Sequence, residues 1–378
     1  MASFATHKCF DIANNNASVF FFLLFSLAMI YMHVAHGVED KPILFIFGDS
    51  TFDVGTNNFL RSKAKANFPY NGIDFPHSVP TGRFSNGFNT ADQIARQFGY
   101  QKSPPPFLAL EKLQYSFKRN ILHGVNFASG GSGILRQTGF NQSGEVVYLE
   151  KQVQQFALVR GNIREILGPA KAACFVSKAL FLISVGSNDL FDFAGNDSGI
   201  HMGQEEYLAI IQLNYYSHIV KLYELGARKF GILSVPPIGC CPALSFANGG
   251  NCVTPLNDLA VAFYSAIRDL LRKLSSELED LEYSLANTFA MTMTLLNDPL
   301  AFGLKDTKSA CCGSGKFNGE GPCIKAPNTN LCLDRRDHLF WDLFHPTETA
   351  TGLAAKTLFE GGNEFVIPVN FSQLISSY

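Results

Sequence analysis

The arrangement of the apolar segments constrains the fold of this chain most strongly. Four of them, 43–48 (ILFIFG), 124–129 (GVNFAS), 179–186 (ALFLISVG) and 229–237 (KFGILSVPP), lack the strict alternation of polar and apolar residues. Continuous apolar strands are typical of parallel sheets that are covered on both faces. The sequence therefore predicts buried parallel strands at these positions, and a fifth strand at 282–290 (EYSLANTFA).

Segments with helical spacing lie between and after these strands. They are 89–99, with Thr90 as its predicted N-cap and Gly99 as its end, then 205–227 and 257–281. Strands that alternate with amphipathic helices predict an α/β fold with helices on both faces of the sheet. No repeat or low-complexity linker divides the chain, so we expect a single domain after the N-terminal segment.

The N-terminal segment has the pattern of a secretory signal peptide. A polar start is followed by a short apolar run at 18–32 and by the small residues Ala35 and Gly37. We therefore predict a signal peptide at 1–37 and a mature domain at 38–378. A membrane anchor is the alternative, but the run is short for a span of about 20 residues. No later segment of the sequence is long and apolar enough to cross a bilayer.

Net charge and composition limit the classes of partner. The formal net charge is -2, which argues against nucleic acid or an anionic membrane as the main partner because both require a basic surface. The chain has 35 Phe residues and one Trp. We expect most of the Phe side chains in the core, and the lining of an acyl-binding groove is the alternative.

Eight of the nine cysteines follow the predicted signal peptide, and seven of them lie between 240 and 332. An even number of cysteines in an oxidising compartment predicts disulfides. A zinc site is the alternative, but no C-x-x-C pair is present and the histidines lie elsewhere. Spacing does not determine the pairing; we consider Cys323 with Cys332, and Cys252 with Cys240 or Cys241. The eight are Cys174, Cys240, Cys241, Cys252, Cys311, Cys312, Cys323 and Cys332.

Three N-x-S sequons follow the signal peptide, at Asn141, Asn196 and Asn370. Each is a predicted glycosylation site in a secreted protein, and each should then be exposed. Short sequons also arise by chance, so the sequence alone does not decide which of them carry a glycan.

Residues able to do chemistry follow three of the predicted strands. Ser50 comes after the first strand, 129–133 after the second and 186–188 after the third. Because the carboxyl ends of parallel strands lie on one edge of a sheet, these segments should meet there. The nucleophile elbow G-x-S-x-G is absent, since Phe52 stands where it needs a glycine. Ser50 is therefore either an ordinary turn or helix-cap residue or the nucleophile of a different kind of serine hydrolase.

A serine nucleophile needs a base, and two histidines have suitable spacing. The base is usually an imidazole held by a carboxylate. Of the six histidines in the predicted mature chain, only His77 and His345 follow an Asp by three residues, and these partners are Asp74 and Asp342. Pro346 disfavours helix at His345 and favours an extended bend there. The residues alone favour the second pair and leave the first open.

Two of the loops carry donors for a developing oxyanion. The segment 130–133 (GGSG) offers backbone N–H groups, and Asn188 in 186–189 (GSND) offers a side-chain amide. Such donors stabilise the tetrahedral intermediate of acyl transfer. Glycines also make turns, and Asn-Asp after a strand also caps helices. Their joint position at strand ends, beside a serine and a D-x-x-H pair, favours the catalytic interpretation.

Four motifs occur in the order found in a known family. FGDS (47–50), NFASGGSG (126–133), VGSND (185–189) and DLFHPT (342–347) resemble those of GDSL-type esterases and lipases of the SGNH hydrolase superfamily. The motifs GRFSNG, SVPPIGC and CCGSG are similar to the plant secreted branch. The resemblance covers about residues 41–360. It implies a three-layer α/β/α sandwich with a parallel, roughly five-stranded, flavodoxin-like sheet (the SGNH hydrolase fold).

The resemblance also implies a role for each residue of the triad. Ser50 corresponds to the nucleophile, His345 to the base and Asp342 to the residue that orients the base. The alternative pair, Asp74 and His77, has no counterpart in the family. The resemblance therefore selects the second D-x-x-H pair.

The oxyanion donors follow from the same resemblance. They would be the backbone N–H of Ser50, the side-chain amide of Asn188 and one glycine N–H of the second motif. For that glycine we prefer Gly131, with Gly130 next.

The expected function is that of a secreted serine hydrolase that cleaves carboxylic esters through an acyl-enzyme. Its expected substrates are esters or acylated lipids and polysaccharides, and the resemblance implies no metal and no organic cofactor. An acyltransferase with the same catalytic residues is the first alternative, and a non-catalytic secreted binding glycoprotein is the second. Acyl length and oligomeric state do not follow from the sequence.

Overall fold

The computed structural model describes residues 41–195 and 202–376, and every element below belongs to the unit Pro42–Tyr378. The predicted signal peptide and the sequon at Asn196 lie outside the described residues. The strands are β1 (Leu44–Gly48), β2 (Val125–Asn126), β3 (Leu180–Ser184), β4 (Lys229–Leu233), β5 (Glu282–Ala286), β6 (Asp306–Ala310), β7 (Cys312–Gly313), β8 (Asn330–Leu331), β9 (His338–Phe340) and β10 (Val366–Ile367). The α-helices are α1 (Thr90–Gln97), α2 (Phe107–Lys112), α3 (Gln114–Asn120), α4 (Phe140–Ser143), α5 (Leu149–Leu167), α6 (Pro169–Ser177), α7 (Ser187–Ala194), α8 (Gln204–Glu224), α9 (Pro242–Ser245), α10 (Thr254–Glu277), α11 (Thr288–Asn297), α12 (Glu348–Glu360) and α13 (Phe371–Ser376).

Within the described ranges, the central sheet has six strands in the order β2-β1-β3-β4-β5-β10. The strands β1 to β5 pair in parallel, and β10 runs antiparallel to β5. The parallel order 2-1-3-4-5 is that of flavodoxin-like sheets, which confirms the predicted sheet. The antiparallel edge strand β10 is an addition that the sequence did not predict.

Two predicted strands are shorter in the structure than expected, and at the end of each an Asn side chain accepts a backbone N–H group. After β2, Oδ1 of Asn126 accepts the N–H of Ala128 at 2.9 Å. After β5, Asn287 accepts the N–H of Ala290 at 3.0 Å and so caps α11. The second half of the predicted strand 282–290 is therefore wrong, since it forms the start of a helix.

The helices predicted from spacing are present, with one correction at an N-terminus. The N-cap of α1 is Asn89 and not Thr90, because Asn89 and Asp92 form a reciprocal capping box. Helices α8 and α10 lie close to the predicted segments. In the part of the chain that the structure describes, no helix is long and apolar enough to span a membrane.

Helices cover both faces of the sheet, and successive side chains of β1 point to opposite faces. Phe45 and Phe47 pack with side chains of α5, α8 and α10. Leu44 and Ile46 pack on the other face with side chains of α1, α12 and α13. A strand that is buried on both faces needs apolar residues at every position, which explains the continuous apolar run. The predicted three-layer sandwich is confirmed.

Phenylalanine forms much of one layer of this core. The rings of Phe45, Phe47, Phe127, Phe156 and Phe181 contact one another with centroids between 4.9 and 6.2 Å apart. Edge and offset contacts of this kind add to the free energy of apolar burial. These five side chains have the core position that we expect for most of the Phe residues.

Three disulfides join cysteines of the described residues: Cys240–Cys252, Cys311–Cys332 and Cys312–Cys323. The first confirms one of the two partners considered for Cys252. The pair Cys323–Cys332 is wrong, because the neighbours Cys311 and Cys312 point to opposite sides of the backbone and each takes one of them. Cys241 is a buried free thiol.

Candidate active site

The turn after β1 places Ser50 at the edge of the sheet. Gly48 has a φ of +145°, and a Cβ there would overlap the carbonyl oxygen of Ser184 in β3, so only glycine fits. The buried Asp49 donates its N–H to the same oxygen of Ser184 at 3.0 Å. Its Oδ1 accepts the N–H of Thr51 at 2.9 Å. These contacts turn the chain at Asp49, and Ser50 leaves the sheet at the start of the turn.

The loop after β9 holds His345. The N–H of Trp341 donates to the carbonyl oxygen of His345 at 2.7 Å and so closes this loop. Inside it, Oδ1 of Asp342 accepts the backbone N–H groups of Phe344 at 3.0 Å and of His345 at 2.9 Å. The backbone itself therefore fixes the carboxylate relative to the imidazole.

Ser50, His345 and Asp342 lie in one hydrogen-bonded line. Nε2 of His345 is 2.8 Å from Oγ of Ser50. Nδ1 of His345 is 2.7 Å from Oδ1 and 3.0 Å from Oδ2 of Asp342. The side chains of His345 and Asp342 are 13% and 14% exposed. A hydroxyl on one ring nitrogen and a carboxylate on the other can activate a serine.

The charges of the site increase the proton affinity of the imidazole and keep its partner carboxyl ionised. Burial lowers the pKa of His345, but the charge and hydrogen bond of Asp342, together with Asp49, bring that pKa above its ordinary value. Burial raises the pKa of Asp342, but His345 and the backbone N–H of Phe344 hold that pKa below its ordinary value. The imidazole therefore binds a proton more readily than an isolated histidine, as a general base requires.

Two backbone N–H groups beside the hydroxyl are available as donors. Among the described residues, neither the N–H of Ser50 nor that of Gly131 donates a hydrogen bond. The N–H of Gly130 instead donates to Oδ2 of Asp53 at 2.9 Å. Of the two glycines considered, Gly131 is therefore the one whose N–H remains available.

Asn188 is held against residues 130–133, the glycine loop that contains Gly131. Its Nδ2 donates to the carbonyl oxygen of Ser132 at 2.9 Å. The next residue, Asp189, is buried and accepts the N–H groups of Ile134 at 2.9 Å and Leu135 at 3.0 Å. Helix α7 is thus joined to the glycine loop at Asn188 and to the segment directly after that loop at Asp189, which limits the movement of the Asn188 amide.

Gln152 on α5, which belongs to none of the sequence motifs, supports the turn before Ser50. Its Oε1 accepts the N–H of Gly48 at 2.8 Å and its Nε2 donates to the carbonyl oxygen of Gly48 at 2.8 Å. Nε2 also donates to the carbonyl oxygen of Val147 at 2.7 Å. A Gln within an amphipathic helix has no distinguishing pattern, so the sequence offers no signal for this role.

The alternative D-x-x-H pair does not form a comparable arrangement. The carboxylate of Asp74 accepts from Nε and Nη2 of Arg335 at 2.6 and 2.8 Å and from Nδ2 of Asn86 at 2.8 Å. His77 is exposed and has a φ of 64°. Asp74 therefore serves an ion pair and not an imidazole.

The two described sequons differ in exposure. Asn141 is exposed on α4. Asn370 is only 8% exposed, and its Nδ2 donates to the carbonyl oxygen of Gly361 at 3.1 Å. Its Oδ1 accepts the N–H of Gln373 at 3.0 Å, in the manner of an N-cap side chain. Asn370 therefore does not have the exposure expected of a glycosylation site.

Ser50, Gly131, Asn188 and His345 line one cavity of about 1590 Å³. Beyond these four residues its walls are largely apolar. In residues 41–195 and 202–376, no group of three or more His, Cys, Asp or Glu side chains could hold a metal ion. Apolar residues of the lining include Phe191, Ile238, Leu244, Leu256, Met291 and Phe344.

Comparisons with known proteins converge on one family. The family model described as GDSL-like lipase/acylhydrolase matches residues 44–358. One GDSL esterase/lipase of Arabidopsis thaliana is 35% identical and aligns over 96% of this chain and 99% of its own length. Another from the same plant is 36% identical over 88% of this chain and 90% of its own.

Among solved structures, a catalytic mutant of an acetylxylan esterase from Geobacillus stearothermophilus is similar. It is 13% identical, with a TM-score of 0.35, over 83% of this chain and 91% of that chain.

Proposed function

Since this chain belongs to the GDSL-like lipase/acylhydrolase family and is a carboxylic ester hydrolase, we propose that Ser50 is its nucleophile. His345 is the general base. Asp342 orients the imidazole and stabilises its protonated form. The observation that carries this proposal is the distance of 2.8 Å between Nε2 of His345 and Oγ of Ser50, with a carboxylate on the other ring nitrogen. The Ser50→Ala variant described in the Discussion tests it.

The reaction proceeds through an acyl-enzyme. His345 takes the proton of Ser50 as Oγ attacks the ester carbonyl carbon, and the carbonyl oxygen becomes negatively charged. The tetrahedral intermediate collapses, the alcohol leaves with the proton from His345, and the acyl group stays on Oγ. Water then attacks the acyl group, with His345 again as the base. His345 returns the proton to Oγ as the bond between Oγ and the acyl carbon breaks, and the carboxylic acid is released.

Three donors stabilise the negative oxygen of the intermediate: the N–H groups of Ser50 and Gly131 and the amide of Asn188. Replacing Asn188 with Ala should lower kcat by about 10² to 10³-fold, because one preorganised oxyanion donor is lost. KM should change little, because the bond forms mainly in the transition state. Initial rates with p-nitrophenyl butyrate measure both constants.

A second variant separates donation from packing. Asn188→Asp keeps the size of the side chain but places a carboxylate oxygen where a donor is needed, so it should lose at least as much activity as the alanine variant. If both variants retain kcat within a few-fold of the wild type, Asn188 does not bind the oxyanion.

The apolar walls of the cavity favour esters with an apolar acyl or alcohol group. Phe344 and Phe191 contact each other with centroids 5.4 Å apart and both line the cavity. Each methylene buried against such a wall contributes about 0.8 kcal/mol. We therefore expect kcat/KM of the wild type to rise with acyl length over a series of p-nitrophenyl esters.

The Phe344→Ala variant should flatten this dependence. The ratio of kcat/KM for the dodecanoate to that for the acetate should fall about tenfold, which corresponds to the loss of two buried methylenes. We use this ratio because Phe344 adjoins His345. Any effect of the substitution on the base lowers kcat/KM for both esters equally and therefore leaves the ratio unchanged. Phe59→Ala is the matched control, since Phe59 is 37% and Phe344 40% exposed but only Phe344 lines the cavity. An unchanged ratio in Phe344→Ala excludes this wall from acyl binding.

We also infer that the protein is exported after cleavage of the N-terminal segment. The three disulfides among the described residues support an oxidising compartment. N-terminal sequencing of the exported protein tests the cleavage; a start at Val38 is expected, and a start at Met1 excludes it.

A further inference from the structure

The ring of Phe84 lies against both His345 and the glycine loop. Its centroid is 4.9 Å from that of the imidazole, and the two planes are inclined by 33°. A Cβ built on Gly130 would lie 2.7 Å from Cε2 and from Cζ of Phe84, so the ring packs directly on that glycine. Phe84 belongs to the motif GRFSNG at 82–87, which has no part in the reaction proposed above.

The segment around Phe84 is fixed at both of its ends. The buried guanidinium of Arg83 bonds the carboxylate of Asp92 in α1 at 2.5 and 2.8 Å. Oδ1 of Asn86 accepts the N–H of Glu348, the first residue of α12, at 2.8 Å. Glu348 follows His345 closely in the chain. The motif therefore joins α1 to the segment that carries the base, with the ring of Phe84 between these two anchors.

We propose that Phe84 is a positioning residue for His345: its ring limits rotation of the imidazole and stabilises the imidazolium that forms when Ser50 gives up its proton. This inference rests on the proposed function of Ser50 and His345. The face of an aromatic ring is electron-rich and attracts a cation within about 6 Å of its centroid. The tilted contact of the two rings, with centroids 4.9 Å apart, lies within that range.

The contact should affect the rate more than substrate affinity. The imidazole is neutral before proton transfer and positive after it, so the attraction to Phe84 is stronger in the transition state than in the ground state. An interaction of this kind raises kcat and leaves KM nearly unchanged.

Few ionisable groups face the imidazole, and a substitution of Phe84 changes none of them. Asp342 on the same loop and Asp49 after β1 act on the charge of His345, and the thiol of Cys241 lies near Asp342. The neighbour of Phe84, Arg83, is bound in a buried ion pair. A change in the kinetic pKa of a Phe84 variant can therefore be assigned to the ring.

The test compares Phe84→Leu with Phe84→Tyr, using p-nitrophenyl acetate to keep substrate contacts small. Leu removes the ring, so kcat should fall about three- to tenfold and the acid limb of kcat/KM should move down by about 0.5 to 1 pH unit. The shift is toward lower pH because the ring favours the protonated imidazole, so its removal lowers the pKa of His345. Activity rises as pH increases through that pKa. Tyr retains the ring and should retain the wild-type profile.

Phe88→Leu is the matched control in the same segment. The ring of Phe88 contacts Phe75 at 4.9 Å and lies under the guanidinium of Arg96 at 4.7 Å, away from His345. This variant should lose some thermal stability and leave the pH profile unchanged. An unchanged profile in Phe84→Leu, or an equal shift in Phe88→Leu, would overturn the inference.

Two further measurements keep the result decisive. If Phe84→Leu does not fold, pentafluorophenylalanine at position 84 keeps the shape of the ring but reverses the charge distribution of its face. That variant should show the same downward shift, and a wild-type profile would contradict the inference. Failure of the proposed function is recognised separately, because Ser50→Ala would then remain active whatever the Phe84 variants do.

Discussion

Replacing Ser50 with Ala should lower kcat for ester hydrolysis by about 10⁴-fold or more, the scale found when a serine nucleophile is removed from its triad. The variant lacks Oγ, the atom that lies 2.8 Å from Nε2 of His345. Without Oγ there is no atom to carry the acyl group, so no acyl-enzyme can form. Its far-ultraviolet circular dichroism should match that of the wild type, because the Ser50 side chain is only partly buried. Initial rates with p-nitrophenyl butyrate measure the loss.

Ser187→Ala is the matched control for this variant. Ser187 lines the same cavity and begins α7, but its hydroxyl has no role in the proposed reaction, so activity should stay within a few-fold of the wild type. Activity retained in Ser50→Ala would show that another group is the nucleophile.

A fluorophosphonate probe distinguishes an enzyme from a binding protein that keeps the same residues. The probe should form an adduct on Ser50 in the wild type and none in Ser50→Ala. A wild-type protein that forms no adduct and hydrolyses no ester would support the binding glycoprotein. A predominant ester product in the presence of an added alcohol would instead favour acyl transfer over hydrolysis.

The strands and the site edge could be predicted from the sequence because both depend on local pattern. The run 43–48 is apolar throughout since β1 is buried on both faces, and Ser50 and Asn188 follow parallel strands that end on one edge. The sequence around His345 indicates its catalytic role less clearly. The spacing of His345 from Asp342 is shared by Asp74 and His77; Pro346 favours the second pair, but only the family resemblance excludes the first.

Contacts between distant segments could not be predicted, because they depend on packing that no local pattern records. The amide of Gln152 bonds both the N–H and the carbonyl oxygen of Gly48, although α5 and β1 are far apart in the chain. Adjacent cysteines present the same difficulty. Cys311 and Cys312 have nearly the same separation from either partner, so only the three-dimensional structure assigns Cys332 to the first and Cys323 to the second.

Asp342→Asn should lower kcat by about 10³ to 10⁴-fold, a magnitude known from the same exchange in another serine hydrolase. The backbone N–H groups of Phe344 and His345 both donate to Oδ1, so the amide oxygen of the variant should keep that position. The amide nitrogen then replaces Oδ2, which is 3.0 Å from Nδ1 of His345. An N–H of that amide can donate to an unprotonated Nδ1, which favours the tautomer with its proton on Nε2, and the neutral amide no longer stabilises the imidazolium. An imidazole in that tautomer cannot accept the proton of Ser50.

The same variant should also change the pH dependence. Asp342 raises the pKa of His345 above its ordinary value against the effect of burial. Without that charge, burial lowers the pKa, so the acid limb of kcat/KM should move to lower pH while the plateau falls.

Asp337→Asn is the control that separates this effect from the loss of any carboxylate near a histidine. Oδ1 of Asp337 is 2.7 Å from Nδ1 of His338, the same distance as in the Asp342–His345 pair, but His338 does not contact Ser50. The plateau and the acid limb of kcat/KM of Asp337→Asn should both match those of the wild type. If Asp342→Asn behaves like Asp337→Asn, the imidazole does not depend on its carboxylate, and His345 acts without the orientation that the structure gives it.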